Sequence, residues 1–202
     1  TVIKMISGVY TPTEGEVYFK NERLTGKTPE AVRTAGIETI YQDLALADNL
    51  DPGLNLYLGR EKTRRAFGLP ILDRVEMRRT AVDVLKGLGI VVPDPTAPVR
   101  EMSGGQRQAI AIARAIYWQA QLVIMDEPTA ALGVPEQREV MALIERLKAK
   151  GVGIILISHN LPDIFAAADR IIVLARGVVA GERRPSETSD EEIVRMMMGA
   201  TL

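Results

Sequence analysis

Residues 122–128 read Leu122-Val123-Ile124-Met125-Asp126-Glu127-Pro128. Four consecutive apolar residues are what a strand buried on both faces of a parallel sheet carries. The carboxylate pair and a proline turn end the run. Downstream, Pro135 opens a helix whose Val140, Leu143, Ile144 and Leu147 recur at i, i+3, i+4 and i+7, closing near Gly151. Gly153 to Ile157 reads as a second buried strand, Leu161 to Ala168 as a short helix, and Ile171 to Leu174 as a third strand. Ser189 with Glu192 caps a final helix that runs into Met196-Met197-Met198. Alternating buried strands and helices predict an α/β fold with a mainly parallel sheet.

Upstream of this core the pattern is partial. Glu16 to Phe19 and Ile37 to Tyr41 read as strands, separated by a short helix from Pro29 to Arg33, which makes a partial N-terminal β region. Between about residues 44 and 101 the character changes. There Asp73 to Leu88 places Met77, Ala81, Val84, Leu85 and Leu88 on one helical face, with Asp73 and Glu76 at cap spacing and Gly89 as the stop. The proline-rich stretch from Val92 to Val99 reads as a linker. This middle third predicts a helical subdomain inserted into one domain spanning residues 1–202, with no repeat at a fixed period.

Composition removes several classes of function. The chain has 202 residues, 47% hydrophobic and 25% charged, with a net charge of −1. No global basic field exists to neutralise nucleic-acid phosphates. Three Phe, one Trp and five Tyr are too few for a base-stacking platform. With no cysteine and one histidine, disulfide frameworks, thiol nucleophiles and Cys- or His-cluster metal sites are excluded. No apolar run approaches the length of a membrane span.

Ligands of open α/β sheets bind beyond the carboxyl ends of the strands. Asp126 and Glu127 stand there. An acidic pair leaving a dry strand is costly unless something cationic or protic meets it, so Asp126 is a candidate Mg²⁺ ligand and Glu127 a candidate base for an attacking water. Taken alone, Asp126-Glu127-Pro128 is better read as an acidic strand end followed by an ordinary proline turn. Ser103-Gly104-Gly105-Gln106 has capping-box spacing for the helix behind it. Capping does not account for two glycines in a first turn, each disfavoured there by roughly 1 kcal/mol relative to alanine. An anion approaching the helix's first N–H groups would. Gln42 and His159 each follow a strand, and alone each is better explained as structural.

The order of these features is what identifies the chain as resembling the nucleotide-binding domain of ATP-binding-cassette (ABC) transporters. Tyr41-Gln42 resembles the Q-loop, Met102 to Gln106 the family signature with Met for its usual Leu, and Leu122 to Glu127 the Walker B strand. Ala131-Leu132-Gly133 occupies the D-loop position, and Ser158-His159 that of the switch histidine. The wording from Glu127 to Gly133, with Met196-Met197-Met198-Gly199, is most similar to ATPases of monosaccharide importers.

The resemblance implies a P-loop NTPase-like core that binds ATP and Mg²⁺ and hydrolyses ATP to power import of a monosaccharide. Asp126 and Gln42 would serve Mg²⁺, Glu127 and Gln42 the attacking water, and His159 the γ-phosphate end. Ser103, Gly104, Gly105 and Gln106 would face ATP held by a second subunit in a homodimer or pseudo-dimer, so Ser103 should stand away from its own Asp126. Membrane permease subunits, and indirectly a sugar-binding protein, are the implied partners. Nucleic acid is not, and the implied place is the cytoplasmic face of the cell membrane. A non-transport ABC ATPase and a catalytically dead ABC-like regulatory or dimerisation module remain open alternatives.

Two departures accompany the resemblance. The D-loop position usually holding Asp carries Gly133. No G-x-x-x-x-G-K-[ST] occurs, and Thr1 matches the residue that follows that Walker A loop. With the apolar, uncapped start at Thr1-Val2-Ile3, this predicts an N-terminus cut away just past the phosphate cradle, and a fragment inactive by itself.

Overall fold

The computed structural model describes residues 1–66 and 68–199, and the chain divides into two units, Thr1–Ile157 and Ser158–Leu202. The first unit opens with a short helix α1 (Val2–Ile6) and a hairpin of β1 (Tyr18–Phe19) and β2 (Glu22–Arg23), turned by Lys20 and Asn21, both at positive φ. The helix α2 (Pro29–Thr34) follows, its Ala31 N–H donating to the Thr28 hydroxyl at 3.3 Å, and leads into β3 (Ile37–Ile40).

The middle region carries α3 (Pro52–Leu56), a hairpin of β4 (Thr63–Ala66) and β5 (Leu69–Leu72), and α4 (Arg74–Gly87). Of these, α4 matches the helix expected from Asp73 to Leu88, while α3 and the hairpin are additional to that reading. The hairpin's arginines and exposed aliphatics lack the alternation by which a half-buried strand is read. Buried Asp51 caps α3 through the Leu54 N–H at 2.9 Å and holds Arg78 of α4 at 2.8 Å. Gly53 lets these helices touch: a Cβ there would lie 2.8 Å from the Arg78 N and Cα. Asn55, fully buried, ties in the preceding loop by accepting from the Ala47 N–H at 2.8 Å and donating to the Ala47 and Leu50 carbonyls.

The core elements complete the unit: α5 (Gly104–Tyr117), β6 (Leu122–Asp126), α6 (Val134–Ala149) and β7 (Gly153–Ile157). The sheet is parallel with order β3–β6–β7, Ile40 beside Met125 and Met125 beside Leu156. As the central strand, β6 buries Val123, Ile124 and Met125 completely, each such side chain contributing roughly 1.5–3 kcal/mol. Ile37 and Ile124 pack with Leu24 and Val32, and Ile3 and Ile6 of α1 cover them. The apolar face of α6 is buried as its spacing predicts. β7 corrects the expectation of a second fully buried strand: it has one strand neighbour among the described residues, and Ile154 to Ile157 are only half-buried.

The second unit contains α7 (Leu161–Ala167), an antiparallel pair β8 (Ile171–Ala175) and β9 (Val178–Arg183), and α8 (Asp190–Met197) capped by Ser189. Ile171, Val173, Ile193 and Met196 form its core. The run from Ile171 to Leu174 is not buried on both faces, because Ile172 and Leu174 point outward. β9 is absent from the sequence reading, since its Val178 and Val179 are both exposed and give no alternation.

Candidate functional site

Parallel pairing decides what meets at the sheet's edge. Because Ile40 is registered with Met125, the chain leaves β3 and β6 side by side at their carboxyl ends. Tyr41-Gln42 and Asp126-Glu127 therefore emerge next to each other. Gln42 is exposed; Asp126 and Glu127 are half-buried. Their proximity follows from strand order and register, which the sequence does not state.

Glu127 has φ of 52°, in the left-handed region. A non-glycine residue there costs about 1–2 kcal/mol. Its N–H donates to the Ile157 carbonyl at 2.8 Å, which anchors the strained residue to the end of β7. The following turn is held from beneath by Gln137 of α6, whose amide donates to the Leu132 carbonyl at 3.0 Å and the Thr129 carbonyl at 3.4 Å. A carboxylate thus occupies a position that glycine would fill without strain, beside Asp126 and at the mouth of the sheet.

Ser103 caps α5. Its hydroxyl accepts from the Gln106 N–H at 3.3 Å, and the Gln106 side-chain oxygen accepts from the Ser103 N–H at 3.0 Å. The structure also supplies a packing reason for the glycines that the sequence reading assigned to an anion alone. A Cβ on Gly104 would stand 2.6 Å from the Leu132 Cδ2, and one on Gly105 3.3 Å from the Glu136 Cβ. The first turn of α5 is therefore seated against the Ala131–Gly133 turn and the start of α6. Gly133 precedes α6 as its N-cap residue, and its N–H donates to the Glu136 carboxylate at 3.1 Å. Gln137 and Glu136 were not singled out from the sequence, although Glu136 stands three residues past Gly133, at cap-box spacing.

Thr1 is exposed at the start of α1 and its side chain does not cap the helix. Beyond the other end of α1, buried Ser7 accepts a hydrogen bond from the Tyr41 hydroxyl at 3.0 Å, linking that end to the residue preceding Gln42. His159 is exposed and opens the second unit, two residues past Ile157. The Ser158 hydroxyl accepts from the Asn160 N–H at 3.0 Å and shapes the turn that carries it.

One carboxylate and one amide oxygen at adjacent strand ends suit a Mg²⁺ ion that keeps waters and shares phosphate oxygens. Among the described residues no group of three His, Asp or Glu side chains could hold a metal without them. Asp126 and Gln42 thus fit an ion that arrives with a phosphate substrate.

Comparison with known proteins shows the family and the fold. The ABC transporter family model matches residues 1–130. The xylose/arabinose import ATP-binding protein of Sulfolobus acidocaldarius is 43% identical over 202 residues, covering all of this chain and 79% of that protein. A ribose import ATP-binding protein of Rubrobacter xylanophilus is 39% identical over the same length, which is 39% of that longer protein. Among solved structures, a dimeric ATP-binding cassette in a post-hydrolysis state with ADP and Pi superposes with a TM-score of 0.73 at 25% identity, covering 91% of this chain and 79% of that one.

Proposed function

The chain belongs to the ABC transporter family, and we propose that it is the ATP-hydrolysing part of a monosaccharide importer. The observation that carries this is similarity over all 202 residues to the xylose/arabinose import ATP-binding protein, with Asp126-Glu127 and Gln42 side by side at the sheet's carboxyl edge. In this reading Asp126 and Gln42 hold Mg²⁺, which when bound neutralises charge on the transferred phosphoryl group. Glu127 accepts the proton of the attacking water, its carboxylate aimed by the left-handed backbone and the bond to Ile157. His159 contacts the γ-phosphate end.

Ser103, Gly104, Gly105 and Gln106 complete the site of a second copy or a homologous domain. The Ser103 hydroxyl accepts from the Gln106 N–H within its own helix start, and in this reading the first N–H groups of α5 face a partner's phosphate. The region from 44 to 101 meets membrane permease subunits, which a sugar-binding protein supplies, at the cytoplasmic face of the membrane. No described helix is long and apolar enough to cross that membrane. These 202 residues contain no G-x-x-x-x-G-K-[ST]. As an isolated polypeptide they are expected to bind ATP weakly, and calorimetry with Mg-ATP tests that.

Deleting the gene and measuring uptake of xylose, arabinose, ribose and fructose tests the reading. Loss of uptake of at least one, reproduced by Glu127→Gln at the native locus, supports it. Unchanged uptake of all four overturns monosaccharide import.

A further inference from the structure

The β4–β5 hairpin is the part of the first unit least explained by its own packing. A lone two-stranded hairpin is marginal in water, and here every β5 side chain is exposed, Leu69 at 67%. Strand pairing sets Arg64 beside Ile71 and Arg65 beside Pro70, so each face of the ribbon carries one arginine among aliphatic neighbours. Arg74 and Val75, the latter 76% exposed, extend the surface onto the first turn of α4. A cation at a helix's first position opposes the helix dipole, so the charge of Arg74 does not stabilise α4.

Charge singles out the same segment. Residues 60–79 contain seven arginines and lysines against three carboxylates, in a chain whose net charge is −1. Lys62 and Arg79 both pair with Glu76, and Arg78 pairs with Asp51. Arg64, Arg65 and Arg74 form no ion pair among the described residues. Free arginines interleaved with exposed aliphatics match an anionic lipid surface, where guanidinium groups bind phosphates and apolar side chains enter the headgroup–acyl boundary. A protein groove would engage one face of the ribbon. Arginine and aliphatic groups on both faces suit a ribbon surrounded by headgroups.

We propose that the β4–β5 hairpin, with Arg74 and Val75, binds anionic phospholipid directly. This goes beyond the importer reading, in which partner subunits alone bring the ATPase to the membrane, and its failure would leave that reading standing. The test is cosedimentation of the purified chain with phosphatidylcholine vesicles and with mixed phosphatidylcholine–phosphatidylglycerol vesicles. Because the net charge is −1, binding to the anionic vesicles reports a local surface. The chain is expected to pellet only with those vesicles. Combining Arg64→Gln, Arg65→Gln and Arg74→Gln should weaken binding about a hundredfold, near fivefold for each arginine. Leu69→Ser with Ile71→Ser should abolish the part that survives high ionic strength. Circular dichroism spectra matching the parent would show the variants folded. Equal binding to both vesicle types, no binding to either, or unchanged binding by the folded variants would overturn the proposal. So would hairpin variants that keep full vesicle affinity yet lose sugar uptake, because the hairpin would then serve a protein partner.

Discussion

Gly104 at the start of α5 and Leu132 before α6 approach so closely that a Cβ on Gly104 would lie 2.6 Å from the Leu132 Cδ2. The contact joins the Ser103-Gln106 turn to the segment downstream of Glu127 within one chain. The obstructing atom is the end of a leucine side chain, so a rotamer change can relieve the clash in part. Gly104→Ala is expected to cost about 1 kcal/mol, at the low end of overpacking penalties. In a Leu132→Ala background most of that cost should vanish, giving a coupling of roughly 0.5–1 kcal/mol in a double-mutant cycle by urea denaturation. Additive single effects would show that the contact carries no energy.

Gly53 provides the contrast. A Cβ there would meet the backbone N and Cα of Arg78 at 2.8 Å, atoms held in the middle of α4. No rotamer relieves that clash. Gly53→Ala should destabilise by about 2–3 kcal/mol despite alanine's better helix propensity, read as a lower urea midpoint. A neutral substitution would mean that α3 and α4 are not packed this tightly.

Glu127→Gln keeps the shape of the side chain and one oxygen but cannot accept a proton as a carboxylate does. Under the proposed mechanism it should lower ATP turnover at least about a hundredfold while nucleotide binding persists. Parent-level hydrolysis by the variant assembly removes Glu127 from the mechanism.

Whether Ser103 serves a second subunit can be read by mixing. Ser103→Arg blocks approach to a partner's ATP, and Glu127→Gln disables the chain's own site. Subunits carrying one lesion each, when paired, leave one composite site intact and should regain part of the activity. Both lesions in one subunit beside an unaltered partner should leave little. The reverse ranking would place Ser103 in its own chain's site.

Glu38 on β3 gives a pH signature. Burial raises its pKa above the ordinary 4.5, against the opposing pull of Arg114, Arg33 and Arg60. The folded chain therefore binds more protons than the unfolded one between 4.5 and the raised value, so this group's contribution to stability falls as pH rises through that window. Glu38→Gln should remove that slope, seen as a smaller pH dependence of the urea midpoint above about 4.5. An unchanged profile would show that Glu38 is not held above its ordinary value.

Much of the core was readable from residues close together in the chain. The period of Val140, Leu143, Ile144 and Leu147 determined α6, Asp73 and Ser103 determined helix starts, and the run at 122–125 determined the central strand. Such signals are local because a helix turn or a cap closes within four residues. The candidate chemistry was visible as types in order: Gln42, Ser103, Asp126-Glu127, His159. Tertiary structure alone decided the rest. That Gln42 and Asp126 emerge together depends on β3 pairing with β6 in parallel register. The strain at Glu127 depends on a hydrogen bond to β7, and the need for glycine at 104 depends on Leu132. Each of these is a meeting of segments distant in sequence, and a meeting of that kind is set by how the elements pack, which no local pattern of residues encodes.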